Sequence, residues 1–231
     1  MSFINPDLFL KEKFENKETT KKEKIWNINL PTANFVLSNK KEFSYEVLIA
    51  LLLESNFDNK YKESHRYIYD NNVNFTQLSK KAGVSLNTFK KYFKNLIELK
   101  VIKETEFKDE KVYKIPQKFA GGYLLFEAKF LEKLLSLSHK NLIRIYIQYY
   151  KYCYQENNTK IYKMSQSKTL TAIGMSVNAK NKDYLKKANR LLEELGLIEI
   201  VKVKHKSGTP LQIKCPLYKD SKFYKEIINK E

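Results

Sequence analysis

Apolar positions recur in the same order twice along this chain, about 90 residues apart. In the first run, a short segment carrying Gln77, Leu78 and Ala82 ends at Gly83-Val84-Ser85. A longer segment then carries Leu86, Phe89, Phe93, Leu96 and Ile97, and Leu99-Lys100-Val101-Ile102 closes the run. The second run reads Leu170 and Ile173, then Gly174-Met175-Ser176, then Tyr184, Ala188, Leu191 and Leu195, then Gly196-Leu197-Ile198. Intervals of three and four residues put side chains on one face of a helix. Each run therefore predicts a short helix, a tight turn at glycine and a longer amphipathic helix. Glycine suits that turn because it enters the left-handed region without a Cβ clash. Thr76 is read as the cap of the first short helix. Ser85 is read as the cap of the long one, Leu86 to Leu99.

Strand-like runs follow each long helix. Val101–Phe107 and Lys111–Ile115 flank Lys108-Asp109-Glu110 as a hairpin, and Leu197–Lys204 and Leu211–Lys214 do the same across His205–Pro210. A short helix, a longer helix and a hairpin together describe a winged helix–turn–helix. The fold class expected is mainly α with small β-hairpins (α+β), in two tandem winged helix–turn–helix domains. Pro116 through Gly121-Gly122 interrupts both helix and strand and sets the boundary. The expected divisions are a flexible arm over residues 1–24, domains over 25–118 and 119–217, and a tail over 218–231.

The remaining patterns fill in these domains. Trp26, Ile28 and Leu30 alternate before Pro31, and with Phe35-Val36-Leu37 they predict an extended lead-in. Ser44 caps a helix through Tyr45, Leu48, Ile49 and Leu52. The polar stretch from Asn56 to Asn74 is expected to be a loop. Tyr123–Leu137 reads as a strand and then a helix, and Ser138 as the cap of a helix from His139 to about Tyr154. That last helix is apolar nearly all round, through Leu142, Ile143, Ile145, Tyr146, Ile147, Tyr149 and Tyr150, so it needs cover on more than one side. The other domain or a second subunit can supply it. Gly83 to Ile102 spans 19 positions and Gly174 to Ile198 spans 24, with Val177–Asn181 read as an extra loop. The tail ends in an amphipathic stretch with Phe223, Tyr224, Ile227 and Ile228.

Charge gives these elements a direction. The 231 residues contain 43 basic and 26 acidic side chains, a net charge of +17, and 42% are hydrophobic. Such a chain can bury cores and should attract polyanions, of which nucleic acid is the commonest. Only Arg66, Arg144 and Arg190 are arginines, and Lys, Asn, Ile and Tyr abound, the mark of an A/T-rich coding bias. That bias explains lysine in place of arginine but not the excess over acids. Cys153 and Cys215 form neither a ligand cluster nor a disulfide framework, which fits a reducing compartment. The apolar stretch Leu8-Phe9-Leu10 is too short for a secretion signal and Val47–Leu53 too short for a membrane span. A cytoplasmic protein that avoids membranes is expected.

The candidate contacts lie on the long helices. Ser85, Asn87, Thr88, Lys90, Lys91 and Lys94 lie at the head of the first or off its apolar stripe. Asparagine can pair with adenine, threonine can meet a thymine methyl, and lysine can meet guanine or phosphate. On the second, the corresponding set is Lys182, Lys186, Lys187, Asn189 and Arg190, with Glu193 and Glu194 at the far end. Arg190 suits a bidentate contact to guanine or phosphate, and its alternative is a salt bridge to Glu193 or Glu194. The second hairpin adds Lys202, Lys204 and Lys206, beside His205. The first hairpin is acidic, with Glu104, Glu106, Asp109 and Glu110. Residues 1–118 carry +6 and residues 119–231 carry +11, so the second domain is the expected stronger DNA binder. His65, His139 and His205 are far apart, no metal-ligand spacing appears, and no Gly-rich phosphate loop is present. Three scattered arginines are a poor supply of cations for a tyrosine strand transferase. No catalytic residue, metal or cofactor is assigned.

With Gly83-Val84-Ser85 and Leu99-Lys100-Val101-Ile102, and Gly174-Met175-Ser176 and Leu195-Gly196-Leu197-Ile198, the chain resembles plasmid and phage replication initiators. The resemblance covers roughly residues 25–215. It implies that both domains contact repeated origin sequences in double-stranded DNA, that the N-terminal one also mediates a homodimer, and that host replication proteins are partners. The insertion at Val177–Asn181 and Lys100, where the pattern has glycine, depart from it. A transcription regulator could use the same modules. So could a protein-interaction pair of a replisome or chromosome-organising complex, although the net charge counts against that class.

Overall fold

Eight α-helices and nine strands lie in the residues that the computed structural model describes: 26–32, 42–58, 65–107, 109–119, 121–137, 141–156, 161–201 and 211–229. The fold is mixed α+β. The first half runs β1 (Asn27–Pro31), α1 (Tyr45–Glu54), β2 (Asn56–Asp58), β3 (His65–Tyr69), α2 (Phe75–Lys81), α3 (Leu86–Glu98), β4 (Lys103–Phe107) and β5 (Glu110–Pro116). The second runs β6 (Tyr123–Glu127), α4 (Ala128–Ser136), α5 (Leu142–Lys151), β7 (Ile161–Met164), α6 (Gln166–Ala172), α7 (Ala179–Glu194), β8 (Glu199–Ile200), β9 (Leu211–Lys214) and α8 (Lys222–Ile228). Three antiparallel sheets have the orders β1-β6, β2-β3-β5-β4 and β7-β9-β8.

The repetition extends to individual backbone hydrogen bonds. Each half has a helix, a strand, a short helix, a long helix and two strands, the last of which lies between the other two. At the turns, the Gly83 and Val84 amides donate to Lys80 and Ser79, as those of Gly174 and Met175 donate to Thr171 and Leu170. At the ends of the long helices, the Val101 and Ile102 amides both donate to the Leu96 carbonyl, as those of Leu197 and Ile198 do to Leu192. Short polar side chains start these helices, because a first-turn amide has no intrahelical acceptor. Ser44, Ser85 and Ser165 each accept from the amide three residues on, at 3.3, 3.3 and 3.2 Å. The expected cap Thr76 is instead inside α2, which begins earlier and is capped by Asn74 through the Gln77 amide, 3.1 Å.

One pair of equivalent positions differs in a way the packing explains. Lys100 and Gly196 both follow a long helix with positive φ, +57° and +67°. Lys100 is exposed, whereas α8 packs over Gly196, where an added Cβ would lie 3.0 Å from the Lys222 nitrogen and 3.1 Å from its Cβ. Gly196→Ala should therefore destabilise the protein by more than the roughly 1–2 kcal/mol of a left-handed residue. Lys100→Gly should be neutral or stabilise by up to about 1 kcal/mol, since relief of positive φ offsets the freer unfolded chain. Urea unfolding of both variants checks this, and an unaffected Gly196→Ala would contradict the packing of α8.

The two halves share one core. β1 pairs with β6 around Asn29↔Leu125, and α1 packs on both α4 and α5. The buried cluster runs without a break from Ile28 to Ile227, so a boundary after residue 118 passes through shared packing. Residues 218–228 are part of that core. Tyr218, Phe223, Tyr224 and Ile227 are buried, and the buried Glu127 carboxylate accepts from the Tyr224 hydroxyl and pairs with Lys219 at 2.7 Å. The all-round apolar α5 is covered by α1, α7 and Phe126 from within the chain. Ile143, Ile147 and Tyr150 are only 3, 1 and 7% exposed, which leaves no open face there for a second subunit.

The stretch from Asn56 to Asn74 contains two strands and a 3₁₀ turn, Asp70–Asn72, rather than a loop alone. β3 is a strand because β5, some 45 residues on, pairs with it through Ile68↔Tyr113. Its Arg66 is buried, donates to the Asn27 carbonyl at 3.0 Å and stacks 4.2 Å over Trp26. β8 is two residues long, continued by the Val201 amide bonded to Gln212. The arm over 1–24, Phe35-Val36-Leu37, and Ser138 with His139 lie outside the described residues.

Candidate nucleic-acid interface

In α3, Phe89, Phe93 and Leu96 are buried and hold the helix against α2 and β5. Phe75 meets Phe89 and Phe93 edge-on at 6.1 and 5.2 Å, and Phe93 meets Tyr113 at 4.9 Å. With that face fixed inward, Asn87, Lys90, Lys91 and Lys94 are exposed on the other. Ser85 is exposed at the head, its hydroxyl 2.8 Å from that of the half-buried Thr88. Lys90 extends over the Phe75 ring at 5.8 Å. Lys94 pairs with Glu98 on this face, 3.7 Å apart and well exposed, which contributes little to stability.

In α7, the buried stripe is Leu185, Ala188, Asn189 and Leu192: Ala188 is inward as expected, whereas the expected Tyr184, Leu191 and Leu195 are half-buried. Asn189 therefore leaves the candidate interface. It is 3% exposed and accepts a 2.9 Å hydrogen bond from the Tyr149 hydroxyl. Tyr149 is wholly buried in α5, and a phenol there needs a partner; burial pushes its pKa well up. Lys186, Lys187 and Arg190 are exposed and Lys182 half-buried. Lys187 pairs with Asp183 at 2.9 Å, and with Lys186 and Arg190 it holds the Asp183 carboxyl below its ordinary range. The alternative for Arg190, a bridge to Glu193 or Glu194, is not formed among the described residues. Glu193 accepts instead from the Ile200 amide, 3.0 Å.

The matched helix-end hydrogen bonds set the two long helices in register. Lys90, Lys91 and Lys94 then correspond to Lys186, Lys187 and Arg190, and Phe93 corresponds to Asn189. The five extra positions of the second unit divide between a loop two residues longer and a helix three residues longer, 16 against 13. Val177–Asn181 is thus not all loop, since Ala179–Asn181 form the first turn of α7, capped by Asn178 at 2.8 Å. Sequence reading missed Lys180, exposed on that turn, and the hydrogen bonds of the Asn181 side chain to the Ser176 carbonyl and hydroxyl, 2.8 and 3.0 Å.

The first hairpin, β4–β5, exposes Glu104, Glu106, Asp109 and Glu110, with Lys111 bridged to Glu104 at 3.2 Å. Lys202, Lys204 and Lys206 of the second lie outside the described residues. Among the described residues no three His, Cys, Asp or Glu side chains are grouped to hold a metal. Cys153 and Cys215, distant in sequence, meet in the core as free thiols, and the hydrogen bond between them, with burial, pushes the Cys215 thiol up. No helix among these residues is long and apolar enough to cross a membrane. In comparisons with known proteins, the chain matches no protein-family model and no curated protein.

Proposed function

We propose that this chain binds double-stranded DNA through two winged helices, with α3 and α7 as the groove-facing helices, and acts in the cytoplasm as an origin-binding replication initiator of a plasmid or phage. The observation that carries this is the matched set of cations, Lys90, Lys91 and Lys94 against Lys186, Lys187 and Arg190, on the outward faces of two repeated helices. An inward stripe that fixes each helix and an outward stripe that can meet phosphates and base edges is what groove binding requires. Arg190 is the position best able to read guanine, since its fork can bond both acceptors of that base. A homodimer, in this proposal, uses the first unit, whose acidic hairpin is ill suited to phosphate.

Titration of the full chain against duplex DNA over a range of salt tests the proposal. Log affinity should fall with log salt by about 0.9 for each phosphate neutralised, so about six contacts lose roughly a thousandfold between 50 and 200 mM. Binding that ignores salt, or no binding to duplex, would overturn it. Footprints on iterated short repeats beside an A/T-rich stretch support initiation, and one operator over a promoter supports regulation instead.

A further inference from the structure

The second unit differs from the first where its long helix begins, and the difference exposes an apolar side chain. Val177, at 49%, is the most exposed large apolar residue among those described. It cannot fold back onto the core, because both its neighbours are engaged. On one side Met175 is buried and Ser176 is held by the Asn181 side chain; on the other, Asn178 caps α7 and its side-chain amide donates to the Ser176 hydroxyl at 3.2 Å. The first unit has no counterpart, since its loop lacks the two extra residues. Lys180 and Lys182 follow on the first turn, so this side chain stands out in a cationic and polar neighbourhood.

Resting on the DNA-binding reading above, we propose that Val177 is a specificity-determining residue that recognises the 5-methyl group of a pyrimidine in the major groove. The head of a groove-facing helix is the part that meets base edges. Those edges offer hydrogen-bonding groups and one apolar feature, the methyl of thymine, against which a branched aliphatic side chain gains by excluding water. A 5-methylcytosine presents the same methyl. The second unit therefore discriminates at this base by apolar contact, while the first presents Asn87 and Thr88 at the head of its helix.

The test uses the full chain and a random-sequence duplex pool enriched by repeated binding. The enriched duplex is resynthesised with deoxyuridine at each thymine in turn, and with 5-methylcytosine at each cytosine in turn. Loss of one buried methyl should weaken wild-type binding by about three- to fivefold at one position. Val177→Ala, with unchanged melting because the site is exposed, should bind the methylated and unmethylated duplexes equally there. A gain on 5-methylcytosine rather than a loss on deoxyuridine assigns the methyl to modified cytosine. If no duplex is bound at all, the functional reading itself fails. If duplex is bound but no position depends on a methyl, or the dependence survives in Val177→Ala, this inference alone is overturned.

Discussion

Arg144→Ala should destabilise the protein by about 2–4 kcal/mol, the cost of leaving two buried carbonyls without a charged donor. Arg144 is 3% exposed, and its guanidinium donates to the Phe43 carbonyl just before α1 and to the Ile173 carbonyl at the end of α6, 3.4 Å. It thus ties the residue before α1 to the end of α6 in the second half. Burial holds its pKa below the usual arginine range, and the nearby Glu46 carboxylate opposes that by favouring the charged form. Alanine leaves two buried carbonyls without this donor and Glu46 without this neighbouring cation. Arg144→Lys keeps the charge but not the planar fork, and should fall between the two. Urea unfolding reads the effect, and a loss below about 1 kcal/mol would show that the junction does not depend on this side chain.

How much of this is legible in the sequence follows from how far apart the interacting residues lie. The short-helix and long-helix pairs are legible because their signals are local: Ser85 three residues before the amide it accepts from, Gly83 and Gly174 at the turns, and Phe89, Phe93 and Leu96 on one stripe. The β1–β6 pairing is not, since two five-residue strands carry no mark of a partner nearly 100 positions away. β3 is hidden for the same reason, its polar appearance resolved only by pairing with β5. α8 shows its amphipathic pattern but not the surface it covers, which is set by Glu127 and Gly196. In the candidate interface, the outward lysines and Arg190 are legible as positions off a helical stripe. Asn189 is misplaced by its sequence because asparagine usually faces solvent, and the phenol that draws it inward comes from 40 residues earlier. Val177 has no signal of its own within an apparent insertion, because exposure of an apolar residue is a property of the folded loop.

The matched cations give the second large effect. Replacing Lys90, Lys91 and Lys94 by alanine, or Lys186, Lys187 and Arg190, should each lower the salt slope of DNA binding by up to about 2.7, at 0.9 for each phosphate no longer neutralised. Affinity at low salt should drop by orders of magnitude. Both sets are exposed, and their ion pairs, Lys94–Glu98 and Lys187–Asp183, are exposed too and contribute little, so the variants should fold. Arg190→Ala alone should cost about 1–3 kcal/mol and relax preference at a single base pair, whereas Lys94→Ala, its counterpart in the first set, should weaken all sequences alike. Asn189→Ala is the internal control. It leaves the buried Tyr149 hydroxyl without its acceptor, at about 1–3 kcal/mol of stability, and should leave the salt slope where it was. If the two cation sets can be removed without changing the slope, their faces are merely solvated. If Asn189→Ala changes the slope and not the stability, α7 is rotated from the orientation its buried stripe defines.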